Sequence, residues 1–167
     1  MLNNCGFNWG DESVQVSQVA DLDQIDLKIL RELQHEARIS FKTIAEKIGV
    51  SEGTIFVRVK KMLERGVIKG FTALVDPSAV GKPLTAIVLV RAQPKTYSGT
   101  LEALRKIDDI YEIYDVTGQY YSILKIRTSG TEELGKMMDE VGKIDGITGT
   151  ETIIVLRTVK EDPIVRI

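Results

Sequence analysis

The chain has 167 residues, 43% of them hydrophobic and 28% charged, which is enough apolar material for one or two small cores and too much for a disordered protein. Its longest apolar run, 86–90, has only the length of a strand, which excludes a membrane-spanning helix, and a lone cysteine, Cys5, excludes an internal disulfide framework or a cysteine-built zinc finger. The net charge of −2 excludes wholesale basicity, yet residues 1–21 carry −3, residues 22–70 carry +3 and residues 71–167 carry −2, so positive charge gathers in one segment.

Residues 1–21 include Gly6, Gly10 and several Asn, Gln and Ser residues without a sustained period, and they are expected to form a tail. They lack a basic start followed by an apolar block, so no secretory signal is expected and the location reads as cytoplasmic. A first helix begins at Asp23, which can cap it, with Asp26 in the first turn and Leu22 able to staple onto Leu27. Ile25, Ile29, Leu30, Leu33 and Ala37 supply its apolar face. His35, the only histidine, is expected to be solvated or partly packed rather than a ligand.

A second helix follows from Ser40, with Phe41, Ile44, Ala45 and Ile48 inward. Gly49 then falls where the helix must end in a left-handed residue, and Ser51 can cap the next helix. In that third helix Ile55, Val59, Met62 and Leu63 recur at helical spacing and predict a buried stripe. The opposite stripe is Thr54, Val57, Arg58 and Lys61. Two short helices joined by Gly49-Val50-Ser51 read as a helix-turn-helix, and a short-branched, basic outer stripe suits a DNA major groove. Ser51, Gly53 and Thr54 would bring the helix N-terminus to phosphate, with Lys60 and Lys42 flanking. The alternative is an ordinary helical hairpin with solvated charges. The modest +3 implies that tight binding of a polyanion would need several copies together.

After Gly66 the period changes. Residues 67–75 read as extended, stopped by Asp76-Pro77, and Gly81 and Pro83 mark a boundary. Strand 84–92, helix 97–107, strand 111–117, strand 121–127, helix 131–143 and strand 150–159 follow. That βαββαβ order predicts a ferredoxin-like sandwich with both helices on one face of an antiparallel sheet, making the whole chain α+β. Ile87-Val88-Leu89-Val90 and Ile153-Ile154-Val155-Leu156 are apolar at consecutive positions, so both faces of those strands require burial while helices cover only one. A second copy of the same sheet is the economical cover, giving an isologous dimer.

Leu22-Asp23-Gln24-Ile25-Asp26 with Ile29-Leu30, Ala45-Glu46-Lys47-Ile48-Gly49-Val50-Ser51, Arg58-Val59 and Leu63-Glu64-Arg65-Gly66-Val67-Ile68 come in this order. They are followed by Val116-Thr117-Gly118, Tyr120-Tyr121 and Thr150-Glu151-Thr152. In that sequence and spacing the chain, over residues 22–160, resembles the Lrp/AsnC family, the feast/famine regulators of bacteria and archaea. The resemblance implies a transcription regulator with a winged-type helix-turn-helix over 22–67, a linker over 68–83, an effector-binding and oligomerisation (RAM) domain over 84–160, and a tail over 161–167. It implies a homodimer that assembles to a tetramer or octamer on palindromic double-stranded DNA, and a small effector, commonly an amino acid, held between dimers.

The matching effector positions are Thr117, Gly118, Gln119, Tyr120, Tyr121 and Ser122, with Thr148 and Thr150. Many relatives place an aspartate just after the tyrosine of that turn; here Tyr121-Ser122 stands there, and Asp115 lies upstream on the strand. Read from the residues alone, Gly118 would let backbone approach a ligand between aromatic walls, or would simply supply the dihedral of a hairpin turn. No cofactor, metal or catalysis is expected: one His and one Cys far apart make no paired set, and Asp108-Asp109 reads as a helix end. An amino-acid-sensing partner module without DNA binding is the alternative function.

Overall fold

The computed structural model describes residues 21–167, so Cys5 and the rest of the expected tail before Asp21 lie outside the described residues. These residues form two compact units, one running up to Ala73 and including Asp162–Ile167, the other Leu74–Glu161. The expected tail over 161–167 is therefore split between them. No helix among the described residues is long and apolar enough to cross a membrane.

The first unit holds α1 (Gln24–His35), α2 (Phe41–Ile48) and α3 (Glu52–Glu64). Each start is capped as the residue types dictate. The Asp23 side chain accepts the Ile25 and Asp26 N–H groups while Asp26 accepts the Asp23 N–H, a reciprocal capping box. Ser40 and Ser51 accept the Thr43 and Thr54 N–H groups at 3.0 and 3.1 Å. Helix α2 ends at Gly49 with φ +83°, the left-handed conformation that frees the chain to turn.

Ile29, Leu33, Ile44, Ala45, Ile55, Val59 and Met62 close the core, with Val67 and Ile68 packed on its edge. Full burial of each large aliphatic side chain contributes about 1.5–3 kcal/mol. Two expected core positions fail. Leu63 is 40% exposed, because Met62 already occupies the centre of the stripe and Leu63 sits a residue's rotation off it. Ala37 lies beyond the end of α1 and is exposed. His35 is exposed. Along α1, Gln34 donates from Nε2 to the Val165 carbonyl at 3.0 Å and accepts the Val165 N–H at 2.8 Å, and Arg31 donates to the Ile167 carbonyl at 2.8 Å.

The second unit opens with a 3-10 turn, Pro77–Val80, and continues β1 (Leu84–Ala92), α4 (Tyr97–Leu104), β2 (Ile110–Asp115), β3 (Ser122–Thr128), α5 (Thr131–Gly142) and β4 (Ile147–Ile154). The antiparallel sheet has the order β2-β3-β1-β4, the ferredoxin-like arrangement that the βαββαβ pattern implies. Ala86, Val88, Val90, Leu124 and Ile126 point to one face, where Leu104 of α4 and Leu134, Met137 and Val141 of α5 cover them.

Strand β4 starts at Ile147 and stops at Ile154, not at the expected 150 and 159. Ala86 pairs with Ile154 and the Val155 N–H still reaches the Thr85 carbonyl at 2.9 Å, so the ladder runs out where β1 begins after Pro83. Leu156 beyond it is 96% exposed. Residues 67–75 form no strand. Opposite the helices, Ile87, Leu89 and Ile123 are half-buried and Ile153 is 47% exposed, so among the described residues no helix covers the second sheet face, and only the segment around Glu161 reaches its edge at Lys125.

Candidate functional site

In the first unit, Ser51, Gly53, Thr54, Val57, Arg58 and Lys61 come together along one groove of about 830 Å³. Helical spacing accounts for this, since positions three and four apart share a face. Ser51 and Thr54 hydroxyls lie 2.8 Å apart, tying the first turn of α3 together. Val57 and Lys61 are exposed. The two flanking residues are also exposed but do not line the groove: Lys42 sits on α2, and Lys60 pairs loosely with Glu64 at 3.8 Å.

The groove holds residues that the sequence reading omitted. Arg65 continues the stripe of Arg58 and Lys61 by one more turn, and Asp21, Asp23 and Asp26 line the same groove. Arg65 was discoverable by extending the i, i+3, i+7 spacing. The aspartates were not, since only the packing of α1 brings them there. Arg58 Nη1 donates to Asp23 Oδ2 at 2.7 Å and to Asp26 Oδ1 at 2.8 Å. The Asp26 backbone N–H, then the Arg58 guanidinium, hold the Asp23 carboxyl below its ordinary pKa, and the bonds to Asp26 and Asp23 raise that of Arg58.

In the second unit, the β2–β3 connection carries Asp115, Thr117, Gly118, Gln119, Tyr120, Tyr121 and Ser122 in one turn, closed by the Val116 N–H on the Tyr121 carbonyl at 3.0 Å. Gly118 has φ +118°, and a Cβ there would meet no atom within 4 Å, so the conformation demands glycine while the space stays open. Ser122 Oγ is buried beside the Tyr97 hydroxyl and makes no other hydrogen bond among the described residues. Thr150 and Ser122 flank Val90 on neighbouring strands, and Thr148 and Thr150 are exposed on β4.

Three side chains outside the expected set organise this turn. The Tyr97 hydroxyl of α4 shares its one proton between the Tyr121 carbonyl at 2.8 Å and Asp115 Oδ1 at 3.1 Å, and its ring lies 4.9 Å from that of Tyr121. Burial first, then the Asp115 charge, pushes its phenol up to about 12. Tyr120 reaches across to Glu151 Oε2 of β4 at 2.5 Å, and the Arg91 guanidinium lies 5.4 Å from its ring centre. Nothing in the local sequence around the turn signals Tyr97 or Arg91, because both arrive through the tertiary fold. Neither the groove above nor a second cavity of about 400 Å³ on the sheet unit is lined by the turn.

A capped helix-turn-helix on its own core, joined to a ferredoxin-like sheet with one uncovered face, defines the class of two-domain, helix-turn-helix transcriptional regulators. The chain belongs within it to the Lrp/AsnC family: residues 22–69 match a winged helix-turn-helix DNA-binding model, and residues 85–165 match the Lrp/AsnC ligand binding domain. The HTH-type transcriptional regulator FL11 of Pyrococcus horikoshii is 43% identical over 140 residues, covering 84% of this chain and 93% of its own. The HTH-type transcriptional regulator Ptr1 of Methanocaldococcus jannaschii is 39% identical over 141 residues, covering 84% and 95%. Among solved structures, Escherichia coli AsnC is 32% identical with a TM-score of 0.77, covering 87% of this chain and 97% of that one. The Neisseria meningitidis regulator NMB0573, solved as an L-Met complex, shares the fold at 21% identity and a TM-score of 0.80, covering 87% and 96%.

Proposed function

We propose that this protein is a sequence-specific DNA-binding regulator of transcription that acts as a homodimer or a higher assembly of dimers on palindromic DNA, and whose sheet domain binds a small effector, an amino acid, between dimers. The observation that carries the DNA half is the outer surface of α3, where a Ser51-capped N-terminus, Gly53, Thr54, Val57 and Lys61 present a short-branched and basic face above a rigid three-helix core. Such a face suits a major groove, with N–H groups of the first turn meeting phosphate and Lys61 adding charge. Lys42 and Lys60 widen the basic footprint.

The effector half rests on the turn at Gly118. Its left-handed backbone, the open space above it, the buried Ser122 hydroxyl and the Asp115 carboxylate supply donors and an acceptor for a zwitterion, with Asp115 the candidate partner for an ammonium group. The neighbour solved with L-Met is consistent with an amino acid as the ligand class.

Three aspartates beside α3 favour the second reading, a sensing module that never touches DNA, because they offset the basic stripe. Retardation of duplexes selected from a random-sequence library separates the two, and a wild-type protein that retards none sinks the first. For the effector, a thermal-shift screen of the standard amino acids finds the ligand, since one that binds only the native state raises the melting temperature. Calorimetry on Gly118→Leu then tests the place: affinity unchanged with assembly intact puts the effector elsewhere.

A further inference from the structure

The side chain at the middle of the α3 stripe, Arg58, is already committed. Its Nη1 lies within hydrogen-bond distance of two carboxylates at once, Asp23 Oδ2 at 2.7 Å and Asp26 Oδ1 at 2.8 Å. Those carboxylates are not spare charges. Asp23 uses its other oxygen, Oδ1, to accept the Ile25 and Asp26 N–H groups, and Asp26 uses its other oxygen, Oδ2, to accept the Asp23 N–H. Each aspartate thus spends one oxygen on capping α1 and the other on holding Arg58. The Asp26 side chain is only 13% exposed and that of Arg58 28%, so the bond to Asp26 is partly shielded from water and salt, whereas Asp23, 52% exposed, stands in solvent.

An arginine that reads guanine must offer two N–H groups, in plane, to a base edge. Both Nη1 N–H groups go to the aspartates, so the Nε–Nη2 edge is left for a base only with two carboxylates standing beside DNA phosphate. Lys61, one turn further along the same stripe, is exposed and has no ion pair among the described residues.

We propose that Arg58 is a positioning residue: it locks the recognition helix α3 onto the capped first turn of α1 and so sets how α3 is presented to DNA, while direct contact falls to Lys61 and the N-terminal turn of α3. This rests on the DNA-binding reading. It differs from a base-reading role in the sign of one effect. If the aspartates only restrain a base-reading arginine, neutralising them frees it and removes negative charge from the DNA side, so binding tightens. If they build the clamp, neutralising them weakens binding despite the more favourable charge.

The test uses the full chain as wild type, Asp23→Asn, Asp26→Asn, Arg58→Lys, Arg58→Met and Lys61→Met, on the duplex that wild type selects from a random-sequence library and on a random duplex of equal length. Binding is measured as a function of salt, below the melting temperature of every variant. Asn retains the capping ability of Asp23, so the first variant folds even where Arg58→Met does not.

The clamp predicts that Asp23→Asn and Asp26→Asn each weaken the selected complex by about tenfold, with loss spread over all base positions. Arg58→Lys should fall between wild type and Arg58→Met. The slope of log affinity on log salt should stay at its wild-type value in Arg58→Met and shrink by about 0.9 in Lys61→Met. Tighter or unchanged binding by the two Asn variants overturns the proposal, as does an Arg58→Met loss confined to one base pair and accompanied by a smaller salt slope. Variants that melt earlier yet bind with wild-type affinity also overturn it, since they assign Arg58 to stability alone. A wild type that binds no duplex removes the DNA-binding reading and the clamp with it, an outcome distinct from the others.

Discussion

Two side chains show how environment, more than identity, sets a residue's work. The Asp23 carboxyl is held below its ordinary pKa by the Asp26 N–H and by Arg58, so its contribution to stability is present above its unfolded value, about 3.9, and is lost as pH falls through the lower folded value. Denaturation followed from neutral to acid pH should therefore show the first unit weakening below about pH 4, and Asp23→Asn should flatten that dependence. Tyr97 shifts the other way: its phenol, raised to about 12, should remain protonated where exposed tyrosines ionise, which absorbance titration of wild type against Tyr97→Phe will resolve. Losing its bonds to Asp115 and the Tyr121 carbonyl should cost about 1 kcal/mol and weaken the effector binding proposed at the turn. Sequence periodicity placed Arg58 on one helix face with Thr54, Val57 and Lys61 but not against its partners, which lie 35 and 32 positions away in the chain. Spacing reports which face a side chain occupies; what stands opposite depends on how separate helices pack.

At the level of elements, what was legible followed from short-range physics. Asp23, Ser40 and Ser51 announced their helix starts because a cap satisfies N–H groups within three residues, and Gly49 announced a helix end because its backbone conformation is local. Ser51→Ala should accordingly cost the first unit about 1 kcal/mol in chemical denaturation and leave the sheet unit's transition unmoved. The limits of β4 were illegible for the opposite reason. Its apolar residues continue past Ile154, but a strand lasts only as long as a neighbour's backbone pairs with it, and β1 starts too late to pair Leu156 onward. Leu63 was misplaced by a related ambiguity, since spacing alone does not say which of the adjacent Met62 and Leu63 the packing turns to the centre of the core.

On the scale of the molecule, the sheet carries one face closed by α4 and α5 and one left open, with Ile87, Leu89, Ile123 and Ile153 upon it. An apolar face of this kind is uncommon on a soluble monomer, and the dimer proposed here would bury it. Ile153→Asp, at a position exposed within the chain, should leave the sheet unit folded by circular dichroism while light scattering shows a smaller assembly, and DNA affinity should fall with the lost second copy. A wild type that scatters as a monomer at micromolar concentration would remove the dimer. The same open face has a genetic meaning. If the proposed dimer forms, an allele that damages α3 but spares the sheet would still make chains able to pair, and would enter mixed dimers instead of vanishing. With equal synthesis of both chains, about three quarters of dimers would carry at least one blind half, and such an allele would behave as a dominant negative where a deletion is recessive.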